Sequence, residues 1–298
     1  MKRTVRVIDV GGNGCRRADV VGNEVIDLIK TGMGEITSVE QLVPFACAHM
    51  PKNSLGVTYA VARNISNGLI TRSPQMPWLD NVNLAILTAR EGVKDALIVN
   101  DMDGAVAGMA AMLPNEKYFM GITWSSGIGM RIWRDGKILS SCEGGHAPLD
   151  LSPFAPLCGC GLRGCVESIC GGEAIRRRVI NETEILGIKI PEGIHPCKFL
   201  DQDLVKSIPW AQDIYGLIAF GMGAFLASIQ TQLRLPLVVW KGTFARAFLN
   251  RAEDAIRFHM RKRLMDPDWG AEMKFIYSPD PEKDALIGAA TLFRQTYK

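Results

Sequence analysis

Thr4-Val5-Arg6-Val7-Ile8-Asp9-Val10-Gly11-Gly12-Asn13-Gly14 opens the chain with an apolar run that stops at a cluster of glycines. β-Branched residues dominate the run, and Arg6 and Asp9 interrupt it. That is the pattern of a buried β-strand and not of a secretory leader. Glycines directly behind a strand let backbone N–H groups face phosphate oxygens with no side chain in the way. Asp9 can then hold a magnesium-bound water near those phosphates. Taken alone, the same residues read equally well as a hairpin turn.

Moving outward, the pattern recurs. Residues 20–29 continue as a hairpin, 39–50 have helical periodicity, and 53–61 are again β-branched. A short apolar strand, 96–99, ends in Asn100-Asp101, and Gly104 to Leu113 is rich in Ala and Met, as a packed helix would be. A second series starts near Tyr118. Phe119 to Trp124 is a strand, Ser125-Ser126-Gly127-Ile128-Gly129 a small-residue turn, Met130 to Trp133 a strand, and Asp135-Gly136 a hairpin turn. Further strands fall at 237–240 and 273–277, with helices filling most of the remainder. Each half thus has a strand, a glycine turn, a hairpin and later helices. This predicts an α/β fold of two related lobes with a cleft between them. The first lobe is expected over residues 1–112 with the closing helix 284–298, and the second over 113–283. Two glycine loops, one per lobe, are what a clasped nucleotide requires.

Composition bounds the rest. The chain has 298 residues, 47% hydrophobic and 22% charged, with 30 Gly and 8 Cys. This is a globular balance, and the cysteines are too sparse for a disulfide scaffold. A net charge of +3 argues against a dedicated nucleic-acid binder. The basic runs Arg176-Arg177-Arg178 and Arg257 to Arg263 read as solvated helix faces. Ile214 to Leu233 is the longest uncharged stretch, and the polar Gln230-Thr231-Gln232 makes a buried helix the better reading than a membrane span. With no export signal, the chain is expected in the cytoplasm, where thiols serve metals or packing.

Cys158-Gly159-Cys160 and Cys165 place three thiols within eight positions, and the intervening glycines permit the tight turns that bring them together. His146 supplies a fourth ligand, and Cys3His suits structural zinc. The alternative is three buried thiols in a glycine-rich loop. Cys15, Cys47, Cys142, Cys170 and Cys197 show no grouping and read as small hydrophobes. Asp101 follows a strand, at the carboxyl end where α/β sheets bind ligands, and can take a proton from a hydroxyl attacking a phosphoryl group. The plainer reading is helix capping, for which Asp103 is the better candidate.

In their order, Asp9-Val10-Gly11-Gly12, Asn100-Asp101, Glu143-Gly144-Gly145-His146 and Cys158-Gly159-Cys160-Gly161-Leu162-Arg163-Gly164-Cys165-Val166-Glu167 resemble the ROK family of repressors, open reading frames and kinases. That family has the two-lobe actin-like ATPase, or ribonuclease H-like, fold. The resemblance runs from Ile8 to Ala290. It implies ATP-dependent phosphorylation of a sugar hydroxyl, usually the 6-hydroxyl of a hexose or N-acetylated amino sugar. Asp101 would be the catalytic base, and Asn100, Asp101, Glu143, His146 and Glu167 would bind the sugar. His146, Cys158, Cys160 and Cys165 would hold zinc, and magnesium would come with ATP. Phosphate contacts would fall to Asp9, Gly11, Gly12, Asn13, Ser126, Gly127, Gly129 and Gly242. Ser73-Pro74-Gln75-Met76-Pro77-Trp78 is similar to the family's loop beside the sugar.

Departures concentrate on the nucleotide side. Asn13 and Ser125-Ser126 replace the usual Thr and Gly-Thr, only Gly242 remains of a Gly pair, and Gly136 to Glu143 is several residues short. The alternative they raise is a catalytically weak or silent sugar sensor. A repressor is the third reading, and the eight residues ahead of Asp9 leave no room for its DNA-binding segment. The expected partners are therefore a sugar and ATP, with no nucleic acid and no membrane. Homodimers are common in the family.

Overall fold

The computed structural model describes residues 3–11, 14–32, 34–62, 64–66, 68–71, 76–140, 142–202, 205 and 207–297. Gly12, Asn13 and Ser73-Pro74-Gln75 lie outside the described residues. In chain order the elements are β1 (Thr4–Gly11), β2 (Gly14–Val21), β3 (Glu24–Lys30), α1 (Val39–Cys47), β4 (Ser54–Val61), β5 (Asn64–Ser66) and β6 (Leu69–Thr71). There follow α2 (Leu84–Arg90), β7 (Ala96–Asn100), α3 (Asp101–Met112), β8 (Tyr118–Trp124), β9 (Ile128–Arg134) and β10 (Lys137–Ser140). Then come α4 (Val166–Cys170), α5 (Gly172–Ile185), α6 (Pro196–Leu200) and α7 (Pro209–Leu233). The chain ends with β11 (Leu237–Lys241), α8 (Thr243–Arg261), α9 (Asp268–Glu272), β12 (Lys274–Tyr277) and α10 (Asp284–Thr296).

The two large sheets repeat one plan. Their strand orders are β3-β2-β1-β4-β7 and β10-β9-β8-β11-β12. In each, a first strand carries an antiparallel hairpin on one side, and two strands parallel to it on the other. The recurrence read from the glycine turns is therefore a repeat of topology. Two compact units divide the chain: residues 1–117, 132–141 and 278–298 form the first, and 118–131 and 142–277 form the second.

In the first unit, alternation along β1 explains which residues face which helices. Val5 and Val7 pack with Leu286, Ala289, Ala290 and Phe293 of α10. Ile8 and Val10 pack instead with Leu42, Val43 and Ala46 of α1 and Leu84 of α2. The parallel part of this mixed sheet needs such cover on both faces. Helices α3 and α10 cross at glycines. A Cβ on Gly108 would stand 1.7 Å from the Asp284 carbonyl oxygen, so only glycine allows that approach.

Arg6, the charge that interrupts the opening strand, is 2% exposed. It pairs with Asp19 through Nε–Oδ1 at 2.6 Å and Nη2–Oδ2 at 3.0 Å, and it donates to the carbonyls of Ala46, Ala48 and His49. The guanidinium thus closes the carboxyl end of α1, and a buried charge survives because every donor direction is used.

In the second unit, Trp124 at the end of β8 lies 5.7 Å from Trp240, 5.2 Å from Phe244 and 5.8 Å from Phe248, centroid to centroid. Helix α7 is the one described helix long and apolar enough to cross a membrane. It packs instead against α8 and α4, with Ile214, Ile218, Met222, Phe225 and Leu226 buried. In the basic stretch 257–263, Arg261, Lys262 and Arg263 are exposed, as a solvated face requires. Arg257 is the exception: it is half-buried, lies 3.9 Å over the Phe275 ring and donates to the Met273 carbonyl.

Candidate functional site

The first unit gathers its candidate residues at one sheet edge. β1, β4 and β7 run parallel, with Val10 opposite Val61 and Val61 opposite Asn100. Asp9 and Gly11 therefore end β1 at the same edge where Asn100 and Asp101 end β7, two strands or roughly 10 Å away. Helix α3 begins at Asp101, three residues before the sequence pattern suggested. The cap is Asn100 rather than Asp103: Asn100 Oδ1 accepts from the Met102 N–H at 2.8 Å. The reason is geometric, because Asn100 is the last extended residue while Asp103 already lies inside the helix. Asp101 Oδ1 also accepts from Met102 N–H at 2.8 Å, which fixes a half-buried carboxylate at the head of α3.

The second unit holds the thiol cluster. The donor atoms of His146, Cys158, Cys160 and Cys165 all lie within 4.8 Å of one another. Cys160 Sγ is 3.7 Å from Cys165 Sγ, and Cys158 Sγ is 3.5 Å from His146 Nδ1. Tetrahedral zinc with bonds of about 2.3 Å to sulfur and about 2.05 Å to nitrogen would put such atoms about 3.8 Å and about 3.6 Å apart. The residues fit the ion. Gly161 and Gly164 take φ of +94° and +71°, which supplies the left-handed turns the wrap needs. Burial raises the Cys158 and Cys165 thiols. At Cys160 burial also raises, but hydrogen bonds from the Leu162 N–H and the neighbouring thiols outweigh it, leaving that thiol lowered and the readiest to ionise.

Glu167, in the first turn of α4, joins this cluster to the second glycine loop. Its Oε2 accepts from the Ile128 N–H at 2.9 Å, and Oε1 lies 3.9 Å from Cys158 Sγ. A Cβ on Gly127 would fall 2.4 Å from Glu167 Oε2 and push that carboxylate aside, so the glycine leaves room for it. The Ser125 and Ser126 carbonyls accept from the Gly172 and Glu173 N–H groups at the start of α5, at 2.9 and 2.8 Å. Gly242 sits beside the same loop. Its φ is +110°, and a Cβ there would lie 2.5 Å from Ser125 Oγ. Ser126, Gly127, Gly129 and Gly242 are thereby brought together at the carboxyl ends of β8 and β11 and the amino end of α8.

Two arginines were missed by the sequence reading. Arg131 in β9 has a side chain 2% exposed. Nη1 donates to the Met130 and Cys142 carbonyls at 2.9 and 2.5 Å, and Nη2 reaches Glu143 Oε1 at 3.4 Å. Its only sequence signal is a charge inside the apolar run Met130 to Trp133. Arg16 in β2 pairs with Asp9. Among the remaining cysteines, Cys15 and Cys170 are buried and Cys47, Cys142 and Cys197 are half-buried.

Comparison with known proteins bears on the family and the fold. The ROK family profile matches residues 30–296. An N-acetylmannosamine kinase of Vibrio cholerae serotype O1 is 40% identical over 213 residues, covering 68% of this chain and 67% of that one. A glucokinase of Thermotoga maritima is 32% identical over 123 residues, covering 37% of each chain, so the match spans little more than a third of that relative. The solved ROK family glucokinase of Streptomyces griseus, in complex with glucose and AMPPNP, superposes with a TM-score of 0.76. That superposition covers 98% of this chain and 99% of that one, at 22% identity.

Proposed function

The chain belongs to the ROK family, and we propose that it transfers the γ-phosphoryl group of ATP to a sugar hydroxyl with Asp101 as general base. The observation that carries this reading is the placement of Asp101. It is a half-buried carboxylate at the end of β7, on the same sheet edge as Asp9 and Gly11. From there it can accept the hydroxyl proton as the sugar oxygen attacks the γ-phosphorus. The bond to the bridging oxygen breaks, and ADP leaves with its magnesium. Retention of this carboxylate favours a kinase over a silent sugar sensor.

Asn100, Glu143, His146 and Glu167 supply the mixed donors and acceptors that a polyol needs. Zinc on His146 Nδ1 and the three thiolates would fix the imidazole tautomer, leaving Nε2 for a sugar hydroxyl. The named relatives are kinases of glucose and of N-acetylmannosamine, which supports a hexose or N-acetylated amino sugar as acceptor; the 6-hydroxyl rests on the family resemblance alone. Backbone N–H groups of Ser126, Gly127 and Gly129 and the amino end of α8 at Gly242 would face the nucleotide, the Ile128 N–H being taken by Glu167. A coupled ADP-release assay across hexoses and their 2-acetamido analogues tests the reading. Sugar-dependent ADP release is expected with at least one of them, and its absence with every sugar and nucleoside triphosphate would refute the kinase.

Arg131 should then act through Glu143. Replacing Arg131 with Met releases the carboxylate and is expected to raise the sugar KM about two- to fivefold, the worth of a long, partly exposed ion pair. The value of kcat should change less, as a steady-state sugar titration beside a melting curve would show.

A further inference from the structure

We propose that Arg16, and not a divalent ion, is the resident cation of Asp9, and that it positions this carboxylate for the phosphoryl donor. The inference rests on the kinase reading only in placing Asp9 beside that donor. Asp9 and Arg16 face each other directly across the β1–β2 ladder. One carboxylate oxygen, Oδ2, accepts from both Arg16 Nε, at 2.8 Å, and Arg16 Nη2. The third guanidinium arm, Nη1, donates to the Glu282 carbonyl at 2.7 Å. All three nitrogens of the group are thus committed to one geometry.

The pair is partly withdrawn from solvent, with side chains 25% and 16% exposed. It is therefore screened less than a surface ion pair, and its charge-assisted bonds are strong ones. Divalent magnesium demands oxygen ligands in an octahedral shell and loses its waters reluctantly. To use Asp9 Oδ2 it would have to displace two guanidinium bonds. Direct ligation through Oδ2 therefore does not fit the ion, a water-held ion at Asp9 would face the fixed like charge of the guanidinium, and magnesium would travel on the nucleotide phosphates.

Arg16 also ties the phosphate hairpin to the chain that leads into α10. Glu282 lies two residues before Asp284, the buried first residue of that helix, which accepts from Ser278 Oγ at 3.0 Å. The Glu282 side chain meets Lys30 at 3.7 Å, and Lys30 is the β3 neighbour of Arg16. Arg16 consequently holds Asp9 Oδ2 in one orientation. A fixed guanidinium thus supplies positive charge beside Asp9, near the end of β1.

The test is nuclear magnetic resonance of the Arg16 Nε–Hε group, identified by its loss in Arg16→Lys. In the native chain the proton should exchange slowly, and Asp9→Asn should make it exchange fast. Magnesium chloride alone, and magnesium with AMPPNP, should leave the native resonance in place. Its movement to the Asp9→Asn position on adding either probe would overturn the proposal. A second readout separates positioning from mere scaffolding. Turnover of the native chain should follow magnesium-ATP with no further need for free magnesium, whereas Arg16→Gln should acquire one. A native requirement for free magnesium that Asp9→Asn abolishes would also overturn it. If no variant or native chain turns over any sugar, the kinase reading fails, and the resonance with magnesium alone still decides Arg16.

Discussion

Asp101→Asn is expected to lower kcat by about a hundredfold to ten-thousandfold, the range for losing a positioned general base. The substitution is nearly isosteric. Its amide oxygen can still accept from the Met102 N–H, the bond that Asp101 Oδ1 makes at 2.8 Å. The Asn100 cap on the same N–H is untouched as well, so α3 should start where it does now. What the amide cannot do is take a proton from the attacking hydroxyl. Steady-state kinetics should show kcat and kcat/KM falling together with little change in the sugar KM, the mark of an interaction made in the transition state. A wild-type sugar-dependent rise in melting temperature would confirm that the variant still binds.

Loss of the thiol cluster is the second large effect. The segment from Ala147 to Cys165 contains no described helix or strand, only isolated bridges at Pro148–Cys165 and Leu157–Arg163. Its apolar side chains do little to anchor it: Leu151 is 87% exposed, Phe154 90% and Leu162 63%. A loop with so few buried contacts depends on ligation for its shape. Cys165→Ala should therefore destabilise the chain by about 3 kcal/mol or more, the scale of breaking a buried polar set. That corresponds to a melting temperature lower by roughly 6–12 °C. Metal analysis should fall from one zinc per chain to none. Turnover should fall with it, because His146 belongs to the cluster and Glu167 follows it by two residues. Calorimetry and metal analysis on the same preparations check both points.

Much of the fold could be read from local pattern. The strand 4–10, the glycine turns and the later helices were visible because burial on both faces leaves near-continuous β-branched runs, and glycine marks where they stop. The thiol wrap was visible for a related reason, since Gly161 and Gly164 advertise positive φ between candidate ligands. The arginines escaped because their roles depend on register. Nothing local in Asp9 and Arg16 says that they are cross-strand partners, and Arg131 meets Glu143 only after the chain has turned back through β10. The start of α3 was misjudged for a similar reason. Asn100, Asp101 and Asp103 are all good capping residues, and only the end of the β7 extension decides among them. Arg257 likewise looked solvated until Phe275 and the Met273 carbonyl came beneath it.

The central claim, that a phosphoryl group is moved to a sugar with Asp101 taking the proton, is tested most directly by following the product. Purified chain incubated with magnesium-ATP and a sugar that raises its melting temperature should yield a sugar monophosphate by phosphorus resonance. Equal ADP should form, and neither product should appear above background with Asp101→Asn. A sugar that stabilises the chain and yet gains no phosphate from any nucleoside triphosphate would contradict the claim and make the molecule a sugar sensor.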